Sequence, residues 1–216
     1  MFRTLIFDFD GVICESVGIK TDGFAMLYEP YGKDVVDKVI KHHLANGGIS
    51  RFRKIKFYHK NFLDIDLSNN ELEVLLARFS EFIVYKIIEA PFVKGAYEFL
   101  LESKDKYQMY ISTGTPQSEI EFIAKEKNIY NYFKGIYGSP DNKIIHIEKI
   151  FQLNSLKKEE TIFIGDSWVD KEAAVSMGLT FIARTTQNEP LLKQEKYQIE
   201  DLTYIEDKLQ SIGSNI

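Results

Sequence analysis

Two aspartates, Asp8 and Asp10, follow the apolar run 4–7 near the start of the chain. Such a run predicts a buried strand, and alternate residues leave a strand on the same side, so the two carboxylates should lie close enough to share a cation. One carboxylate can attack phosphorus while the other transfers a proton and a divalent metal neutralises the phosphate. Gly11 permits the sharp turn of the backbone that must follow the strand. The spacing indicates a metal or catalytic site, with a structural turn as the weaker alternative.

A second polar cluster follows the strand-like run 107–111. The turn 112–116 is rich in hydroxyl groups and leads into a predicted helix. Thr115 fits the cap of that helix and Pro116 its first position, so unpaired backbone N–H groups should face the turn. Such groups bind anions, and the turn is therefore predicted to be an anion site. Its predicted contact residues are Ser112, Thr113 and Gly114.

Two further strand-like runs end in charged residues. The run 135–138 precedes Lys143, which stands in the first turn of a predicted helix, where a cation opposes the helix macrodipole. Taken alone, this position is more typical of a solvated lysine. The run 161–164 precedes Asp166, and Asp170 lies one helical turn beyond it. Both could face one cation, one could brace the other, or the pair could simply begin a capped helix.

Together, the four segments resemble the haloacid dehalogenase superfamily of hydrolases, in the subgroup of phosphoglycolate phosphatase-like and β-phosphoglucomutase-like enzymes. The motifs occur in the right order and span essentially the whole chain. They are Asp8 with Asp10, then Ser112, then Lys143, then Asp166 with Asp170. The resemblance implies an α/β fold in which a Rossmann-like parallel sheet carries an inserted all-helical cap domain. It also favours a functional role for Lys143.

The resemblance implies a role for each catalytic residue. Asp8 would be the nucleophile that forms an aspartyl-phosphate, and Asp10 would protonate the leaving oxygen and then activate water. Ser112 and Lys143 would hold the transferring phosphate. An aspartate at position 10 favours phosphate esters, because cleavage of a carbon–halogen bond needs no acid for an alcohol leaving group.

The resemblance also implies a magnesium site. The cation would lie between Asp8, the backbone carbonyl of Asp10 and Asp166, with Asp170 in support. Oxygen ligands of this kind suit a hard divalent ion. Without a cation, four carboxylates and a phosphate dianion could not converge on one site.

Between the first and second strand-like runs, the pattern changes from strand to helical spacing. This change predicts a helical insert between the first two strands of the sheet. The resemblance implies that the insert, residues 15–90, is a cap domain on a catalytic core of residues 1–14 and 91–216, with hinges at the two joints. In the cap, Ser68 and Glu71 have the spacing of a capping box at the start of one helix.

Two more cap helices follow from the same spacing. One is predicted over residues 34–45, and another from Ser50 with Phe52 and Ile55 buried. The segment 51–56 carries four positive charges in six residues.

This basic segment suggests an anionic substrate. Arg51 or Arg53 could clamp a carboxylate or a second phosphate bidentately, and His43 is the further candidate for substrate contact. A solvated amphipathic helix whose cations pair with local acids is an equally consistent interpretation.

Composition excludes several other classes. The chain has 216 residues and a net charge of −5, which argues against nucleic acid or an anionic membrane as the main partner. No apolar run reaches the roughly 18 to 20 residues of a transmembrane helix, and no signal peptide precedes the first strand. The single cysteine, Cys14, can form no internal disulfide and is expected to be buried. A cytoplasmic protein that acts on a small-molecule phosphate ester is expected.

Three functional hypotheses follow. The first is a magnesium-dependent phosphatase for a small anionic phosphate monoester, such as phosphoglycolate or a sugar phosphate. The second is a phosphomutase of the β-phosphoglucomutase type, and the third is a non-catalytic regulatory protein on the same fold. Hydrolysis is favoured because the sequence offers no independent sign of the water exclusion that a mutase needs, and the intact motif residues argue against the third hypothesis.

Overall fold

A parallel β-sheet forms the centre of the molecule. The structure, a computed structural model, describes residues 2–185 and 190–214. Within these residues the sheet has six strands in the order β3-β2-β1-β4-β5-β6. They are β1 (Thr4–Phe7), β2 (Gln108–Pro116), β3 (Gly135–Ser139), β4 (Thr161–Gly165), β5 (Thr180–Arg184) and β6 (Gln198–Ile199). Thr4 on β1 pairs with Gln108 on one side and Thr161 on the other, so the strand that precedes the first two aspartates is central.

Nine α-helices accompany these strands in the described ranges. Five of them lie between β1 and β2: α1 (Val17–Tyr28), α2 (Lys33–Ala45), α3 (Arg51–Leu63), α4 (Asn69–Glu89) and α5 (Ala96–Ser103). The first four form the inserted helical segment. The others follow later strands: α6 (Gln117–Glu126), α7 (Lys143–Leu153), α8 (Trp168–Ser176) and α9 (Ile205–Gly213). The predicted α/β fold with an inserted helical segment is confirmed. None of the helices in the described ranges is both long and apolar enough to cross a membrane.

Apolar residues cover both faces of the sheet. Leu5 and Phe7 of β1 belong to one buried cluster, whereas Ile6, which points to the opposite face, belongs to a second cluster with Tyr110 and Phe163. A strand buried on both faces reads as a continuous apolar run, as β1 does. The polar residues that follow such a strand are therefore held at the edge of a rigid sheet.

The inserted helices begin and end close to the predicted positions. The capping box at α4 is present, since the Ser68 hydroxyl accepts from the backbone of Glu71 at 3.3 Å and the Glu71 carboxylate accepts from the backbone of Ser68 at 2.9 Å. Helix α2 ends at Ala45, as predicted. The domain bounds stay a prediction, and residues 1, 186–189 and 215–216, which it assigns to the core, lie outside the described residues.

Helix α3 differs from the prediction in the face that it buries. Ile55 is fully buried, as expected, but 46% of Phe52 is exposed. The buried face of α3 instead carries Arg51 and Lys54, which line a cavity beside the sheet. The prediction for Phe52 was wrong because it assumed that the inward face of the helix would be apolar throughout.

The start of α6 also differs by one residue. Strand β2 continues to Pro116, which pairs with Ser139 of β3, and the helix begins at Gln117. Pro116 has an extended backbone, with φ −54° and ψ 143°, so it occupies the capping position predicted for Thr115. Strand pairing across this segment outweighs the local preference of proline for the first helical turn.

Candidate active site

A cavity of about 340 Å³ lies between the carboxyl ends of the central strands and the inserted helices. The sheet edge contributes Asp8, Asp10 and Asp166 to its wall. The helices opposite contribute Lys20, Phe24, His43, Arg51, Lys54 and Phe79. Because β1, β2 and β4 are parallel neighbours, residues far apart in sequence meet at this edge.

Three carboxylates form a compact cluster at the bottom of the cavity. Asp8, Asp166 and Asp170 each place an oxygen within 4.8 Å of the others. Gly11 makes this packing possible, because a Cβ there would lie 2.1 Å from the Asp166 carboxylate. Gly11 has φ +75°, a conformation that suits glycine and gives the sharp turn predicted after β1.

Lys143 is the cation of this cluster. Its ammonium lies 3.0 Å from Oδ1 of Asp8 and donates to Oδ1 of Asp170. The other oxygen of Asp170 accepts from the backbone N–H and hydroxyl of Ser167, at 3.0 and 2.5 Å. Asp170 therefore forms a capping box with Ser167 at the start of α8, which was one of the alternatives, and its other oxygen holds Lys143 rather than Asp166. It also lies close enough to Asp8 and Asp166 to share a cation with them.

The charges of the cluster shift its pKa values. Burial raises the pKa of Asp8 to about 7, opposed by Lys143 and reinforced by Asp170 and Asp10. Burial, with the negative charges of Asp8 and Asp170, raises the pKa of Asp166 well above its usual range. Burial acts to lower the pKa of Lys143, but Asp170 and Asp8 outweigh it and raise the pKa. The cluster therefore holds more negative charge than one lysine compensates, and its oxygen ligands fit a divalent cation.

Asp10 lies in a separate set of hydrogen-bond donors. It accepts from the ammonium of Lys20, from Ser16 at 2.6 Å, from Thr115 at 3.1 Å and from Thr113 at 3.3 Å. Burial alone would raise the pKa of Asp10, but Lys20 and these hydroxyl groups lower it below its usual value. Asp10 is thus held as a carboxylate, which is the form that can accept a proton.

The predicted anion turn reaches the cavity only in part. Gly114 lines the cavity, whereas Ser112 and Thr113 are fully buried and do not. The Ser112 hydroxyl lies 3.0 Å from Nδ1 of His146, whose Nε2 lies 3.0 Å from the carbonyl of Gly138. Since a carbonyl only accepts, Nε2 of His146 carries the hydrogen and Ser112 donates to Nδ1. In this structure the hydroxyl hydrogen of Ser112 is therefore committed within the core.

The three residues predicted to contact substrate from the inserted helices lie in different environments. Arg51 lines the cavity, but its guanidinium pairs bidentately with Glu119 at 2.7 and 3.1 Å and donates to Ser80 at 2.8 Å. Arg53 is exposed and does not line the cavity. His43 is buried in the cavity wall. The arginine that reaches the cavity already has a carboxylate partner within the chain.

Sequence reasoning missed three cations that line the cavity: Lys20, Lys54 and Arg184. No sequence motif predicts a role for Arg184. Its guanidinium donates to the carbonyl of Gly11 at 2.8 Å and pairs with Glu15 at 2.6 Å. A signal for Lys54 existed, because it stands three residues after Arg51 and one before Ile55, on one face of the helix.

Three solved structures share this fold. The β-phosphoglucomutase of Clostridium difficile has a TM-score of 0.79 and 19% identity, over 99% of this chain and 100% of that one. A predicted phosphoglycolate phosphatase from Haemophilus somnus has a TM-score of 0.73 and 17% identity, over 95% and 97%. The HAD-hydrolase YfnB of Bacillus subtilis, solved with bound magnesium, has a TM-score of 0.71 and 18% identity, over 97% and 99%. These likenesses show the fold alone.

No curated protein sequence matches the chain. The family model of the haloacid dehalogenase-like hydrolases matches residues 5–184, which include every carboxylate of the cavity and the lysine between them. The fold, the order of the motifs and this match agree. The chain therefore belongs to the haloacid dehalogenase-like hydrolase family and is an enzyme of that family.

Proposed function

We propose that the protein is a magnesium-dependent phosphatase that hydrolyses a small anionic phosphate monoester through an aspartyl-phosphate on Asp8. The observation that carries this proposal is the position of Asp8. Its Oδ1 accepts from the backbone N–H of Phe9 at 2.7 Å and lies 3.0 Å from Lys143, at the bottom of a cavity that also exposes Asp10. Both contacts are made to Oδ1, which leaves Oδ2 to attack phosphorus.

Asp10 supplies the proton transfers in this proposal. It gives a proton to the leaving oxygen in the first step and takes one from the water that attacks the aspartyl-phosphate in the second. The lowered pKa of Asp10 suits the second step, in which it acts as a base. For the first step Asp10 must be protonated, so its contact with Lys20 has to weaken when substrate enters.

Magnesium would be held by Asp8, Asp166 and the backbone carbonyl of Asp10. When bound, it neutralises the phosphate and polarises its oxygens. The cluster of buried carboxylates with raised pKa values supports this assignment. Asp170 supports the site indirectly, by holding Lys143 beside Asp8.

The size and charge of the cavity support a small anionic substrate. Its volume of about 340 Å³ lies at the lower end of the range for small-molecule sites, about 300 to 1,000 Å³. The cations Lys20, Arg51 and Lys54 line its upper wall. A polymer does not fit such a space, and a phosphate ester does.

We also propose that residues 15–90 act as a cap domain over a core of residues 1–14 and 91–216, in a cytoplasmic protein. The two connections between them run side by side. The backbone N–H of Glu15 donates to the carbonyl of Pro91 at 3.0 Å, and the backbone N–H of Val93 donates to the carbonyl of Ile13 at 2.9 Å. Such a paired joint is suited to hinge motion. Cys14, which lies in the joint, is buried as a free thiol, as expected in a reducing compartment.

A phosphomutase is the second candidate. It is supported by the likeness to β-phosphoglucomutase over the full length of both chains. A mutase would need a bisphosphate activator and would isomerise its substrate without releasing phosphate. A phosphatase releases phosphate from its substrate and needs no activator.

The test is release of free phosphate from a panel of metabolite phosphates in magnesium. Asp8→Asn should abolish release, because an amide cannot accept the phosphoryl group, whereas Asp37→Asn, an exposed aspartate of α2, should leave it intact. Turnover that survives Asp8→Asn would contradict the covalent route, and turnover that survives a chelator would contradict the metal. Isomerisation without phosphate release would favour the mutase.

A further inference from the structure

Lys54 is a buried cation without a carboxylate partner. Only 3% of it is exposed, and its ammonium donates to Nδ1 of His43 at 2.8 Å and to the carbonyl of the same residue at 3.3 Å. Among the residues that the structure describes, no carboxylate oxygen lies within 4.0 Å of its Nζ. Two of its three hydrogens are thus engaged, and the ammonium also lies 5.8 Å from the centroid of the Phe24 ring. The third hydrogen has no oxygen or nitrogen acceptor within the described ranges.

His43 presents a second unused donor. Its Nε2 is buried and has no hydrogen-bond partner in the described part of the chain, and the residue is 7% exposed. When Lys54 is protonated its ammonium only donates, so Nδ1 accepts from it and Nε2 carries the ring hydrogen. Burial and the charge of Lys54 lower the pKa of His43 to about 2, which keeps the ring neutral. A buried N–H without an acceptor costs stability, so its persistence needs an explanation.

Both residues line the cavity that holds Asp8. The other two cations contributed by the inserted helices have partners: Lys20 pairs with Asp10, and Arg51 with Glu119. Burial lowers the pKa of Lys54 to about 7, with Lys20 adding to the effect and Asp10 opposing it, so Lys54 is only partly protonated at neutral pH. An oxyanion beside Lys54 would favour the ammonium form and give it the partner that the described residues do not supply.

We propose that Lys54 and His43 bind a second anionic oxygen group of the substrate, a carboxylate or a second phosphate, across the cavity from Asp8. The oxyanion would accept the remaining hydrogen of Lys54. It would also accept the Nε2 hydrogen of His43 once substrate entry uncovers that buried group. This inference rests on the proposed phosphatase function and narrows it to phosphate monoesters that carry another acidic group. It places the specificity in Lys54 and His43 rather than in Arg51 or Arg53.

The first test compares pairs of substrates on the unmodified enzyme. The pair 3-phosphoglycerate and glycerol 3-phosphate tests a carboxylate, and the pair fructose 1,6-bisphosphate and fructose 6-phosphate tests a second phosphate. We expect kcat/KM to be at least about tenfold higher for the acidic member of one pair, the factor for one charge-assisted hydrogen bond. The pair that shows the preference identifies the group. Equal values within both pairs would overturn the proposal.

The second test uses Lys54→Gln, with Lys56→Gln as the matched control. Lys56 is a lysine of the same helix that is exposed and lies outside the cavity. Lys54→Gln should raise KM for the acidic substrate about tenfold more than KM for p-nitrophenyl phosphate, and Lys56→Gln should raise neither. A parallel rise for both substrates in a folded Lys54→Gln protein would refute the site. Thermal unfolding checks folding, and Lys54→Met is the replacement if Lys54→Gln is unstable.

A binding measurement separates this proposal from the phosphatase itself. Calorimetric titration of Asp8→Asn with the acidic phosphates requires no turnover. Binding that weakens about tenfold when Lys54→Gln is added supports the anion site even if no substrate is hydrolysed. Failure of hydrolysis overturns the proposed function, whereas unchanged affinity overturns only the anion site.

Discussion

Lys143 is a buried cation held between two carboxylates. It is 3% exposed and lies between Asp8 and Asp170. A buried charge of this kind is tolerated only when its partners are close and their remaining oxygens are satisfied, and Ser167 satisfies the second oxygen of Asp170. The residue that compensates Asp8 is therefore itself held by a chain of hydrogen bonds.

We predict that Lys143→Met lowers the free energy of unfolding by about 3–5 kcal/mol, because it leaves buried carboxylates without their cation. Lys149→Met, in the same helix α7, removes a lysine whose pair with Asp141 is half-exposed, and it should cost less than about 1 kcal/mol. Urea unfolding of both variants at neutral pH provides the comparison. Similar losses would show that the burial of Lys143 contributes no extra stability.

At this scale the sequence predicted the residues that belong to recognisable motifs. It missed three cavity residues outside any motif: Lys20, Lys54 and Arg184. Asp8, Asp10 and Asp166 could be placed together because the ends of parallel strands share one edge of the sheet. Lys20 and Lys54 could not, because a lysine on an amphipathic helix has the same local pattern whether it faces water or a cavity. Only the packing of the helices on the sheet distinguishes the two cases.

Helix α3 shows how a functional face alters the usual helical pattern. Its inward side combines apolar residues such as Ile55 and Tyr58 with the cations Arg51 and Lys54. A pattern that counts only apolar residues therefore misplaces Phe52, which is exposed, and overlooks the cations on the buried face. By contrast, α4 has an apolar buried face and a capping box, and its start was predicted correctly from local chemistry.

We predict that Ile55→Ala lowers the free energy of unfolding by about 2–4 kcal/mol, since a fully buried side chain leaves a cavity when it is truncated. Phe52→Ala, on the exposed side of the same helix, should cost less than about 1 kcal/mol despite removing a larger side chain. Chemical denaturation of the two variants measures this difference. The opposite order would indicate that Phe52 is the residue on the buried face.

At the scale of the whole molecule, the inserted helices rest on the sheet through a small number of specific contacts. Arg51 of α3 pairs with Glu119 of α6, and Ser80 of α4 donates to the same carboxylate at 2.6 Å. The loop between α2 and α3 packs against the end of β2, where a Cβ on Gly114 would lie 2.8 Å from the carbonyl of Gly48. These contacts join the inserted helices to α6 and to the end of β2.

We predict that Arg51 and Glu119 are energetically coupled. In a cycle of Arg51→Met, Glu119→Leu and the double variant, the coupling in unfolding free energy should exceed about 1 kcal/mol, because the Arg51 side chain is 5% exposed. The variant Arg51→Lys tests the bidentate geometry, because an ammonium cannot reproduce it. If the changes in unfolding free energy add within about 0.5 kcal/mol, the Arg51–Glu119 pair does not join the inserted helices to α6.

The topology of the catalytic sheet could be predicted as far as strand–helix alternation extends. The four strands that end in motif residues were identified from their apolar runs, whereas β6 has two residues and offers no periodicity to detect. The spatial order of the strands follows from pairings between distant segments, which local patterns do not encode.

The central position of β1 determines when this strand can pair during translation. Thr4 pairs with Gln108 and Thr161, so both neighbours of this strand are made long after it. Until then, the four residues of β1 have no strand partner, and Asp8 lacks its cation, because Lys143 has not been synthesised. The nascent chain is consequently inactive and prone to association for most of translation. We expect chaperones to bind it most before β4 emerges from the ribosome.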